Sequence, residues 1–132
     1  MRALSPSSIH PPFARYSHGI EVPAGSRLVF ASGQLGIEAD GHVPEDAGEQ
    51  ADLCFRAIGA ILRDAEMDYR HIVRINAFVT EREALKAYMD VRDRYVASPP
   101  PASTLMIVAG FARPVFKVEV EVIAAARDEE ER

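Results

Sequence analysis

The chain has 132 residues, a net charge of −5, 48% hydrophobic residues and 27% charged residues. That length suits one domain, residues 1–132, around a single core, and the balance excludes a disordered chain. An acidic protein with no basic stripe is a poor match for a phosphate backbone, so no nucleic-acid partner is expected. No apolar run reaches membrane-span or signal-peptide length, so a soluble, cytoplasmic protein with no membrane partner is expected.

Residues 1–12 are rich in Ser and Pro and read as a loose end. Tyr16 to Val22 reads as a strand that turns near Pro23-Ala24-Gly25 and pairs with a second strand, Arg27 to Gln34, ending at Ser32-Gly33. Asp40-Gly41 marks a tight turn. A helix of about 20 residues follows, with Asp46 and Glu49 in a capping-box pattern. Ala47, Ala51, Cys54, Ile58, Ile61, Leu62 and Ala65 form its apolar stripe.

From His71 to Thr80, Val73, Ile75, Ala77 and Val79 alternate with Arg74, Asn76 and Phe78, as in a strand with one buried face. Thr80 and Glu83 predict a second capping box. The helix it opens carries Ala84, Tyr88, Val91 and Tyr95 as its stripe and stops at Ser98-Pro99-Pro100-Pro101. Two more strands, Ala102 to Val108 and Phe116 to about Ala124, close the order β-β-α-β-α-β-β. Residues 127–132 read as a solvated charged tail.

Two singly striped helices call for one face of a mixed sheet, an α+β arrangement. The opposite face would then mix Arg74, Asn76, Phe78, Lys117, Glu119 and Glu121, a composition that suits a subunit interface better than open solvent. The lone Cys54 falls in the core-facing stripe and reads as an inert buried thiol. His18 reads as a hydrogen-bonded structural histidine. His10, His42 and His71 show no metal-ligand spacing, so no metal site is expected.

Taken in order, Tyr16-Ser17-His18-Gly19, Ser32-Gly33-Gln34, Val73 to Val79, Pro101-Ala102-Ser103-Thr104 and Val118-Glu119-Val120-Glu121 resemble the RidA-like (YjgF-type) family over residues 14–126. The resemblance implies a chorismate-mutase-like fold of the bacillus type. It also implies a homotrimer with small-molecule clefts between subunits, and no cofactor. Its best-studied members hydrolyse imines and enamines to ketoacids and ammonia.

Carried over residue by residue, the resemblance makes Glu119 the residue that positions water and Tyr16 its catalytic companion. It places Ser32, Gly33, Ser103, Thr104 and Asn76 around the substrate. Ser103 stands where the family's deaminases carry an arginine for the substrate carboxylate, and Leu105 stands where they carry a cysteine. A serine hydroxyl does not replace a bidentate cation. Either Ser103 and Thr104 meet an uncharged carbonyl, or another cation enters from Arg15, Arg74 or Arg113. Two functions follow as expectations: an imine or enamine deaminase, and a non-catalytic trimer that binds a small ligand or protects other proteins.

Overall fold

The computed structural model describes residues 1–127, so all but the first residue of the charged tail lies outside it. The strands are β1 (Arg2–Leu4), β2 (Gly19–Glu21), β3 (Arg27–Leu35), β4 (Ile72–Val79), β5 (Ala102–Ile107) and β6 (Val118–Ala126). The helices are α1 (Ala47–Asp64) and α2 (Ala84–Tyr95). The main sheet runs β3-β6-β4-β5, with β4 and β5 parallel and the other pairs antiparallel. The expected mixed sheet with two helices on one face is present, in a chorismate-mutase-like arrangement.

Two expectations at the N-terminus are corrected. Residues 2–4 are not loose: β1 pairs with β2, and an Arg2–Glu21 ion pair of 3.0 Å ties the two. The segment from Tyr16 does not form a hairpin with β3. Its first part is held by β5 instead, through the Ser17 N–H to Pro101 O (3.0 Å) and the Ser17 hydroxyl to Pro100 O (2.5 Å). Those bonds satisfy the Ser17 backbone at the outer edge of β5 and leave only Gly19–Glu21 to pair elsewhere.

α1 starts where its cap predicts, with Asp46 Oδ2 accepting from the Glu49 N–H at 2.9 Å. Its buried side includes Ala51, Cys54, Phe55, Ile58 and Leu62. Full burial of Phe55, Ile58 and Leu62 contributes about 1.5–3 kcal/mol each. The stripe also holds Gln50, which is fully buried and fully bonded. Its amide donates to Pro44 O (2.8 Å) and Val115 O (2.9 Å), and its oxygen accepts from the Lys117 N–H (2.8 Å). One side chain thereby pins both the loop before α1 and the loop before β6.

The second predicted capping box is absent. The Thr80 N–H bonds Lys117 O at 3.1 Å, which keeps Thr80 with the strands, and α2 begins at Ala84 with no side-chain cap. Between the helices, Phe55 stacks on Tyr95 at 5.1 Å, and Tyr95 meets Tyr69 at 5.0 Å. The inner sheet face carries Ile75, Ala77, Val79, Val118, Val120, Val122 and Ala124 against α1 and α2. The outer face is uncovered. Phe30 is 69% exposed, Leu28 52% and Met106 51%, beside half-buried Asn76, Phe78, Glu119 and Glu121.

Candidate functional site

The residues singled out from the sequence fall into two groups. The first lies on the uncovered sheet face. β3 does not end at Ser32-Gly33. It bulges there, since the pairing with β6 shifts register between Ala31 and Gln34. The bulge brings the Gly33 backbone under the Glu119 side chain. A Cβ at Gly33 would stand 2.7 Å from Glu119 Cδ, closer than any side chain tolerates. Glycine is needed at this position for close approach. Across the sheet, Phe78 pairs with Glu119, and Asn76 pairs with both Glu121 and Thr104. Thr104 Oγ1 accepts from Arg74 Nη2 at 2.9 Å.

The second group lies on the other side of β5. Successive strand residues face opposite ways, so Ser103 points toward α2 while Thr104 points away from it. Ser103 lines a cavity of about 240 Å³ with Phe13, Ala14, Tyr16, Met89, Arg92 and Leu105. The cavity wall from Phe13 to Ser17 is firmly held. Ser17 bridges to Ala102, and the Arg15 guanidinium donates to Val96 O (3.3 Å) and Ala97 O (3.2 Å). The Tyr16 hydroxyl accepts from the Phe13 N–H at 3.2 Å, leaving its own proton to donate.

None of the three cations expected to serve Ser103 lines this cavity. Arg15 is spent on the end of α2, Arg74 on Thr104, and Arg113 stacks over Phe116 at 4.7 Å. The cation that does line it is Arg92, only 3% exposed. The sequence held a signal for it. Arg92 follows Tyr88 by four residues and Met89 by three, which places it on the buried edge of the α2 stripe. A charged residue there has to find a partner or a function.

Other expectations resolve as structural. Cys54 is buried, with its thiol directed at Val118 O (3.8 Å). Burial, and secondarily the negative charge of Glu119, push the thiol up to about 12. His71 Nδ1 accepts from the Asp68 N–H at 3.0 Å, and a His18 ring nitrogen meets His10 O at 2.8 Å. A larger, open groove of about 590 Å³ runs beside α1 and α2. On its wall, Asp52 takes Arg56 at 2.8 Å and also the Tyr95 hydroxyl.

Two helices on one face of a β3-β6-β4-β5 sheet, with a glycine bulge beneath a strand glutamate, define an α+β fold of the chorismate-mutase-like kind. The chain belongs to the YjgF/RidA family: the family model described as Endoribonuclease L-PSP matches residues 7–126. Protein DfrA of Myxococcus xanthus is 29% identical over 133 residues, covering 96% of this chain and 100% of DfrA. The 2-iminobutanoate/2-iminopropanoate deaminase of Capra hircus is 32% identical over 124 residues, covering 92% of this chain and 85% of the enzyme. The solved structure of YyfB, a Rid-family protein of Yersinia pestis, superposes with a TM-score of 0.83 at 24% identity, covering 95% of this chain and 98% of YyfB. At that identity the superposition shows the fold alone. Among the described residues, no helix is long and apolar enough to cross a membrane.

Proposed function

We propose that this protein hydrolyses the C=N bond of a small imine, or of the enamine that tautomerises to it, in clefts between the subunits of a homotrimer. Water adds to the carbon, the nitrogen takes up a proton, and collapse of the adduct gives a carbonyl compound and ammonia. Glu119 accepts the proton of the attacking water. The observation that carries this reading is the Glu119 carboxyl held over the Gly33 bulge. A half-buried carboxylate fixed against bare backbone has an open side for a water and a substrate.

The two groups of residues support the assembly. In one chain, Glu119 and Gly33 lie on the outer sheet face, and Tyr16 and Ser103 lie behind β5. A cleft that uses both draws them from neighbouring copies, and the exposed Phe30, Leu28 and Met106 provide the apolar surface for that contact. A nuclease reading fits less well, because the same face presents Glu119 and Glu121 to any approaching phosphate. We place the protein in the cytoplasm, in keeping with its single reduced cysteine.

The test is the decay of imines generated in situ from several amino acids, with wild type, Ser103→Arg and Glu119→Ala in parallel. Acceleration by wild type that Glu119→Ala abolishes supports the reading. No acceleration on any substrate would sink it in favour of a non-catalytic binder.

A further inference from the structure

Tyr16 is flanked by two residues that are both tied to one distant segment, 96–101. On one side, the Arg15 guanidinium donates to Val96 O (3.3 Å) and Ala97 O (3.2 Å). On the other, Ser17 donates its N–H to Pro101 O (3.0 Å) and its hydroxyl to Pro100 O (2.5 Å). The composition of the segment explains the need. Val96 and Ala97 follow the last turn of α2, where the helix presents its negative end. Pro99, Pro100 and Pro101 have no N–H, so the segment is rich in acceptors and poor in donors. A guanidinium suits the task because its rigid fork serves two successive carbonyls at once.

The Tyr16 hydroxyl takes no part in this clamp. It accepts from the Phe13 N–H (3.2 Å), and its own proton has no acceptor among the described residues. The loop that carries it is closed on itself. A His18 ring nitrogen meets His10 O at 2.8 Å, and the His10 ring stacks on Phe13 at 4.7 Å. The clamp therefore holds one compact loop, and that loop leaves the Tyr16 hydroxyl unspent, on the wall it shares with Ser103 and Leu105.

We propose that Arg15 is a positioning residue. It fixes the loop 10–18 on the end of α2, so that the Tyr16 hydroxyl is held ready to donate its hydrogen to a substrate in the cleft. Arg15 touches no substrate and acts through Tyr16. Donation by Tyr16 rests on the function proposed above, whereas the fixing of Tyr16 by Arg15 stands apart from it.

The test is a double-mutant cycle between Arg15→Gln and Tyr16→Phe in the full chain, with two readouts. The first is the fluorine spectrum of protein carrying meta-fluorotyrosine at its four tyrosines, in which Tyr16→Phe identifies one resonance. Arg15→Gln should shift or broaden the Tyr16 resonance and leave those of Tyr69 and Tyr88 in place. The second readout is imine hydrolysis. Tyr16→Phe should lower kcat about tenfold or more. Arg15→Gln should lower kcat about fivefold or more, with KM changed less than about twofold, and the double variant should be no slower than Tyr16→Phe. Arg15→Lys, which serves one carbonyl at a time, should recover part of both readouts. An unmoved Tyr16 resonance in Arg15→Gln overturns the proposal. So do rate losses that multiply in the double variant, since Arg15 would then act independently of Tyr16. If Arg15→Gln does not fold, Arg15→Lys replaces it in the same cycle, and a wild-type resonance with a wild-type kcat overturns the proposal. The fluorine readout separates the two claims. A Tyr16 resonance that depends on Arg15, without hydrolysis by wild type, removes the catalytic reading and leaves the fixing of Tyr16 standing. Hydrolysis that needs Glu119 but is unchanged in Arg15→Gln removes the role of Arg15 alone.

Discussion

The Glu119 carboxyl group rests on the backbone of Gly33, at a separation that leaves no room for a Cβ. The bulge between Ala31 and Gln34 creates the contact, because the extra residue turns the β3 backbone toward β6. Gly33→Ala is expected to push Glu119 aside without unfolding the chain. The atoms it meets are the far end of a side chain, so the stability cost should stay near ~1 kcal/mol. Imine hydrolysis should fall as far as in Glu119→Ala. Steady-state rates beside a denaturant titration check this. Full activity in Gly33→Ala would show that the position of Glu119 does not matter.

The outer sheet face leads to a second expectation. Phe30 is 69% exposed, so Phe30→Asp should cost the isolated fold less than ~1 kcal/mol. In an assembly built on this face, the same change buries a charge against an apolar neighbour, which is costly. If the proposed trimer is built on this face, light scattering on the eluting protein should show wild type as a trimer and Phe30→Asp as a monomer, while the circular dichroism of the fold is kept. A trimer that survives Phe30→Asp places the interface elsewhere.

How far the sequence reveals this architecture depends on the kind of signal. Local chemistry reads well where nothing competes for it. Asp46 caps α1 because its carboxylate has no better partner than the Glu49 N–H. Thr80 failed as a cap because a residue distant in sequence, Lys117 just before β6, claimed its backbone N–H. The hairpin expected from Tyr16 failed for the same reason, with β5 binding Ser17 first. The main-sheet strands and both helices were therefore legible, whereas the N-terminal pairing was not. At the candidate site, only the family resemblance singled out Glu119, since the alternation on β6 makes it one polar position among several, and the adjacency of Ser103 and Thr104 hid the fact that they face opposite sides of the sheet. Arg92 looked like one charge among several in Asp90-Val91-Arg92-Asp93-Arg94. Only packing against β5 distinguishes it from its neighbours.

Cys54 gives a pH-dependent prediction. Its thiol has an ordinary value of 9.0 and is held at about 12 in the fold, chiefly by burial. Below the ordinary value both states keep the proton, and the neutral buried thiol is fully tolerated. As pH rises from 9 toward 12, the unfolded chain releases the proton first. Stability then falls by about 1.4 kcal/mol per pH unit for this group alone. Denaturation midpoints measured from pH 8 to pH 11 should therefore drop more steeply in wild type than in Cys54→Ala. At pH 8 a thiol reagent should label the protein only after denaturation. Rapid labelling of the native protein would contradict the burial.

The last prediction reverses a rule of helix design. Gly59 lies inside α1, where glycine ordinarily costs about 0.5–1 kcal/mol relative to alanine. From sequence alone, Gly59→Ala is a stabilising change. In the fold, however, a Cβ at this position would collide with the Tyr69 hydroxyl, with ring carbon Cζ at 2.7 Å. Tyr69 is not free to move. Its hydroxyl donates to Phe55 O at 2.7 Å, and its ring packs on Tyr95 at 5.0 Å. Overpacking of this kind costs about 1–3 kcal/mol, which exceeds the gain in helix propensity. Gly59→Ala should therefore destabilise by about 1–2 kcal/mol, read as a lower urea midpoint with an unchanged slope. Tyr69→Phe removes the colliding oxygen at the cost of one hydrogen bond, about 1 kcal/mol. The double variant should consequently be more stable than the sum of the two single changes predicts, with a coupling of 0.5 kcal/mol or more. Strict additivity would mean that the helix and the tyrosine do not meet as described.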